Sequence, residues 1–197
     1  MIARMSRTIS SFFIDRGIIE DVDRDVYIYS FEILLSTLAS FIVLIILSII
    51  SRTVPETALY LLGFVPLRQV AGGYHAKNHF RCFLIMLFSY TAFQLLLFFL
   101  PTVFLVPAAI SSCILSIISV FVFAPSEDRN KPLSANEISR FKKNSRISIF
   151  VYVVIICLLT VFVLDRALVF SLALGVFTAS LSLLANYIKC EFSKNKK

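Results

Sequence analysis

Apolar runs at residues 28–50, 82–100, 103–123, 147–164 and 167–188 each reach or approach the length that crosses a membrane, since about 20 helical residues span about 30 Å of hydrocarbon. This repetition constrains the chain more than any other feature, because so much apolar surface cannot be hidden in one soluble domain. Of 197 residues, 58% are hydrophobic, 20 are Phe and only 16% carry charge. The expected class is an all-α polytopic membrane protein. A sixth apolar stretch, Pro55 to Leu67, covers only about 20 Å as a helix. It reads as a thin, mismatched span or a re-entrant half-helix, which makes about six membrane helices with one short or re-entrant.

Charge placement orients them. Lys and Arg gather in cytoplasmic loops near span ends. The N-terminal arm (Arg4, Arg7, Arg16, Arg24), the 125–146 loop (Arg129, Lys131, Arg140, Lys142, Lys143, Arg146) and the tail (Lys189, Lys194, Lys196, Lys197) are all basic. Leu100 to Val103 carries no charge, and Asp165-Arg166 is balanced. If 55–67 crosses, both termini and all three basic regions face the cytoplasm, together with Arg68, Lys77 and Arg81. The net charge of +7 then reads as topology and attraction to lipid headgroups. The bilayer is the implied partner, and no motif supports nucleic-acid binding.

The whole chain, 1–197, reads as one integral membrane domain with a transmembrane core at 28–188 and an arm at 1–26. Ile2, Met5, Ile9, Phe12, Phe13, Ile19 and Val22 recur at near-helical spacing, which predicts an amphipathic helix lying in the membrane interface. Arg and Asp interrupt the start before any continuous apolar stretch, so it does not read as a cleavable signal peptide. The basic 125–146 loop is the longest polar segment. Pro125 and Pro132 are expected to hold its first half extended, and Ser134 with Glu137 matches a capping box that starts a short basic helix.

The four cysteines show no paired spacing of a zinc ribbon or disulfide framework. Cys113 and Cys157 lie inside apolar runs, where a thiol behaves as a small hydrophobe. Cys190 follows the last span beside Lys189. Cys82 differs: it opens a span just after Lys77 and Arg81, in surroundings that favour a thiolate. It closes a polar island, Arg68-Gln-Val-Ala-Gly-Gly-Tyr-His-Ala-Lys-Asn-His-Phe-Arg-Cys82. A thiol, imidazoles, a glycine pair and a fixed positive charge supply a nucleophile, a base, an adaptable backbone and an anion partner.

On one straight helix His75 and Cys82 would stand about 10 Å apart, too far for proton transfer. Gly72 and Gly73 can adopt conformations closed to other residues and fold the imidazole back over the sulfur. His79, three residues before Cys82, is a helical neighbour without any folding back, so geometry leaves the base open between the two. A metal reading places His75, His79 and Cys82 on one face as zinc ligands. It lacks an evident fourth ligand and the glutamate of a zinc peptidase helix; no metal or cofactor is expected. Glu32, an ionisable residue inside the first span, is a candidate to orient His75 or pair with Arg68, set against simple snorkelling.

Arg68, Ala71-Gly72-Gly73-Tyr74-His75-Ala76 and Cys82, in this order and spacing, resemble the signature of the AgrB family, accessory gene regulator protein B of Gram-positive bacteria. The chain length, the hydrophobic layout and the Ala124-Pro125 to Asn130-Lys131-Pro132 segment fit as well. The resemblance implies a cysteine endopeptidase of the bacterial cell membrane that matures an AgrD-type quorum-sensing propeptide. It implies Cys82 as nucleophile, His75 as base, Arg68 and Gly73 as supporting residues, and a homodimer. It supplies no catalytic counterpart for His79. Lys131 and the basic helix after it are candidates to attract an acidic propeptide. From another class, the alternative is a small membrane peptide transporter or channel. Against that reading stand the few ionisable residues in the spans and the lack of paired broken helices.

Overall fold

The computed structural model describes residues 2–73, 79–126, 134–162 and 165–194. Among these the chain is a series of helices without a strand: α1 (Ile2–Asp15), α2 (Arg24–Ser51), α3 (Val54–Ala71), α4 (His79–Phe99), α5 (Thr102–Phe123), α6 (Ala135–Phe162) and α7 (Arg166–Lys194). Five helices, α2 and α4 to α7, are long and apolar enough to cross a membrane, as the apolar runs predicted. The protein is an all-α polytopic membrane protein.

Two differences from the sequence expectation concern helix length. The apolar part of α3 stops at Leu67, yet the helix has 18 residues and continues through Arg68 to Ala71, a length of about 27 Å. The basic helix after Ser134 is not a separate short element. It runs unbroken into the fifth apolar run as the 28-residue α6, because no proline or glycine interrupts Ala135 to Phe162. The capping box that starts it is present: the Ser134 N–H donates to Glu137 Oε2 at 2.9 Å, and the Glu137 N–H donates to Ser134 Oγ at 3.4 Å.

Contacts divide the described residues into two compact units. One holds 1–50 and 76–90, the other 51–75 and 91–197. In the first, α1 ends at Gly17, whose φ of +69° suits the left-handed residue that closes a helix. The Gly17 and Ile18 N–H groups turn back to the carbonyls of Ile14 and Phe13 at 2.8 and 3.0 Å. The buried side of α1 carries Ser6 and Ser10, while Met5 and Phe12 stay exposed. Phe13 stacks on Phe31 of α2, ring centroids 5.8 Å apart. The apolar pattern thus splits: Phe13 packs on α2 and Ile19 beyond the helix is buried, while Met5 and Phe12 of α1 stay open.

The second unit holds the main core, made by Phe64, Leu67 and Ala71 of α3, Ala109, Cys113 and Val120 of α5, Ile149, Tyr152 and Ile156 of α6, and the inner face of α7. The α3–α7 and α5–α7 contacts are the most extensive. At the α3–α7 crossing the backbones nearly touch. A Cβ on Gly63 would come within 2.6 Å of the Leu172 carbonyl oxygen, and one on Gly175 would collide with the Tyr60 carbonyl oxygen. Glycine is used here for close approach. Beyond the crossing, Gly73 meets Ser182, and Phe123 meets Tyr187 with ring centroids 4.9 Å apart. Hence α3, α5 and α7 run parallel with their C-terminal ends together. α6 starts at that end, with Arg146 over the Phe121 ring at 4.9 Å.

Pro66 would leave a gap in α3, since it has no N–H to offer the Leu62 carbonyl one turn earlier. Tyr152 of α6 fills it: its hydroxyl donates to Leu62 O at 2.7 Å. Without water in the hydrocarbon region, such a carbonyl needs a protein donor. At the opposite end of α3, Gln94 Nε2 donates to Thr53 Oγ1 at 2.7 Å.

Candidate active site

The last turn of α3 carries Arg68, half-buried, with its guanidinium 5.4 Å from the centroid of the Phe64 ring one turn earlier. A cation over an aromatic face is a favourable contact. The helix stops when the Gly72 N–H bonds the Arg68 carbonyl at 3.0 Å. The next two residues have φ of +82° at Gly72 and +156° at Gly73, conformations that side chains with a Cβ rarely adopt. The expectation that this pair takes backbone shapes closed to other residues therefore holds.

Space imposes the same choice a second time. A Cβ on Gly72 would lie 2.5 Å from the Ser126 carbonyl oxygen, and a Cβ on Gly73 would collide with the Ser182 hydroxyl. The segment after α5 comes in along this turn: the Ser126 N–H donates to the Ala71 carbonyl at 3.0 Å, and Gly72 and Ser126 form a single parallel backbone bridge. From α7, Asn186 Nδ2 donates to Ser126 Oγ at 2.6 Å. Asn186 is only 3% exposed. Sequence reasoning missed Ser126, Ser182 and Asn186. The one available signal was an amide side chain, Asn186, near the end of an otherwise apolar run, where a buried polar group must find a partner.

Cys82 lies in the first turn of α4 as a half-buried free thiol. Cys113 is buried in α5 and Cys157 exposed on α6, both inside apolar helices. Glu32 is half-buried in α2 and belongs to the same unit as Cys82, whereas Arg68, Gly72 and Gly73 belong to the other. His75 and Lys131 lie outside the described residues, and of His79 only the backbone, within α4, is described. The choice of base and the His75, His79 and Cys82 metal grouping therefore rest on residues beyond the description. Among the described residues, no three His, Cys, Asp or Glu side chains are grouped to hold a metal.

Comparison with known proteins adds independent information. The family model described as Accessory gene regulator B matches residues 6–183. Protein FsrB of Enterococcus faecalis is 29% identical over 125 residues, which cover 61% of this chain and 50% of that protein. The chain thus spans about half the length of this curated relative. No solved structure matches.

Proposed function

The chain belongs to the accessory gene regulator B family, and from that membership we propose that it is a membrane-embedded cysteine endopeptidase acting on an AgrD-type propeptide. The observation that carries the reading is where the Arg68 to Cys82 island falls. Its first part is the glycine-locked end of α3 and its last residue is in the first turn of α4. A thiol at a helix start and a constrained turn two residues before an imidazole are the parts that thiol acyl transfer needs.

In this mechanism the Cys82 thiolate attacks the carbonyl at the C-terminal end of the future signal peptide. A carbon–sulfur bond forms, the carbon–nitrogen bond breaks, and the leaving amine takes its proton from His75. The acidic tail departs and the signal segment stays as a thioester. A Cys thiol or Ser hydroxyl within the bound peptide then attacks that thioester, passes its proton to His75, and releases Cys82 as a thiolate with a thiolactone or lactone ring closed. Ring closure outruns hydrolysis when the internal nucleophile is held close and water is excluded. Arg68 faces the oxyanion or the acidic tail, Lys131 attracts the tail, and Glu32 orients the base.

The same proposal places the protein in the bacterial plasma membrane, as a homodimer, with both termini and the site in the cytoplasm. The parallel course of α3, α5 and α7 supports one part of this, a shared side for the Gly72–Gly73 end and the C-terminus. If α5, α6 and α7 alternate across the bilayer, α3 crosses in the same sense as α5 and α7. Its Gly72–Gly73 end then shares a face with the start of α6 and the C-terminal tail, and basic residues cluster at both.

The deciding experiment is mass spectrometry of the protein in liposomes with a synthetic propeptide. The wild type is expected to carry a signal-peptide adduct on Cys82 and to release the tail; Cys82→Ala is expected to do neither. An intact propeptide with a folded wild-type protein would sink the proposal and favour transport.

A further inference from the structure

We propose that Asn186 and Ser126 act as a latch that sets the Gly72–Gly73 turn, so that Asn186, a residue of α7 remote in sequence from the island, is a positioning residue for the His75 base. The inference rests on the peptidase reading above and extends it.

A buried amide in an apolar helix needs a reason, because an apolar side chain of the same shape would fill the site without desolvating polar atoms. Asn186 donates to Ser126 Oγ at 2.6 Å. Ser126 in turn holds the Ala71 carbonyl through its own N–H at 3.0 Å. Ala71 is the last residue of α3, and the bonded carbonyl belongs to the peptide unit that leads into Gly72. The Ser182 hydroxyl then walls the next position, leaving no room for a Cβ on Gly73. Three side chains or backbone groups from outside the island therefore converge on the backbone just before the catalytic segment.

Only Tyr74 separates Gly73 from His75 in sequence, so whatever fixes the turn fixes the point from which the chain sets out toward the base. Glycines provide the shape at the cost of freedom, and an unrestrained Gly-Gly pair would sample many other conformations. The latch removes that freedom. Proton transfer depends steeply on placement, and a shift of about 1 Å can lower a rate by up to about a hundredfold.

The test uses the full chain in liposomes and a synthetic AgrD-type propeptide, with kcat and KM for tail release measured on each variant. Asn186→Leu keeps the branched heavy-atom shape and removes the donor; Ser126→Ala removes the acceptor. Each is expected to lower kcat about tenfold with KM unchanged within about twofold. Because both break one link, the double variant is expected to lose no more than about the same tenfold, a strongly non-additive result. Ser126→Thr, which keeps a hydroxyl, is expected to recover most of the rate. Unaltered kcat in both single variants, losses that multiply to about a hundredfold in the double, or a loss that falls on KM would overturn the latch. Should Asn186→Leu not fold, Ser126→Ala against Ser126→Thr decides alone, equal rates refuting the proposal. Failure of the peptidase reading looks different: the wild type would then leave the propeptide intact, or tail release would persist in His75→Ala and Cys82→Ala, whatever the latch variants do.

Discussion

α7 and α2 are both long and apolar, yet 61% of the apolar window of α7 is buried within the protein and only 17% of that of α2. Hydropathy runs the other way, since the less buried α2 is the more apolar of the two; small side chains mark the buried helix. Ser171, Gly175 and Ala179 recur every fourth residue on α7, and Ser171 and Ala179 are almost fully buried. On α2 the buried line is a single row, Ser40, Leu44 and Ser48, while Ile42, Ile45, Ile46, Ile49 and Ile50 are exposed. Lipid tails are as apolar as Leu or Ile, so large apolar residues gain little by turning inward, whereas small ones let backbones approach and gain dispersion contacts. Phe follows the same logic: Phe88, Phe98 and Phe99 of α4 are 78%, 85% and 74% exposed.

The comparison can be broken most sharply at Gly175. Gly175→Leu leaves the helix apolar but drives a side chain into the Tyr60 carbonyl, and it is expected to cost about 3 kcal/mol or prevent folding. Unfolding in mixed micelles measures it; an unchanged transition would show that the close α3–α7 crossing is not what holds α7 inside.

Next in size comes Tyr152→Phe, which strands the Leu62 carbonyl and is expected to destabilise by about 1 kcal/mol. Adding Pro66→Ala to it supplies the missing N–H, so the double variant is expected to regain at least the loss. If Pro66→Ala helps equally with Tyr152 present, the hydroxyl is not answering for the proline.

Ser134→Ala, at the polar start of α6, removes the cap at a cost of about 1 kcal/mol to that helix end, but fraying there spares the membrane core. Amide exchange of residues 136–139 is expected to quicken while the global transition stays put. The smallest effect belongs to the outer face: Phe98→Leu is expected to change stability by less than about 0.5 kcal/mol. A large loss there would mean that this face of α4 is covered by a second molecule rather than lipid.

Much of the fold and part of the site were legible because their causes are local. Uninterrupted apolar runs set the five long helices, Ser134 and Glu137 cap α6 through bonds three residues apart, and the Gly72–Gly73 pair announces backbone shapes that other residues avoid. α3 was read too short because its apolar stretch ends at Leu67, whereas a helix packed on α7 can carry Arg68 and Gln69 in its last turn. The partner of the Leu62 carbonyl was invisible for a different reason, since Tyr152 stands 90 positions away.

What the sequence determined by itself is that this chain lives in a membrane as a set of helices and that a thiol, two imidazoles and an arginine lie close together between Arg68 and Cys82. Length, hydropathy and neighbouring residues suffice for both, because in hydrocarbon each helix satisfies its own backbone. Only the tertiary structure decided which helix faces are inside and which remote side chains meet the island. Interior and lipid are equally apolar, so burial follows the fit of Gly63, Gly175, Ser182 and Asn186 against partners far along the chain, and that fit exists only once the helices are packed.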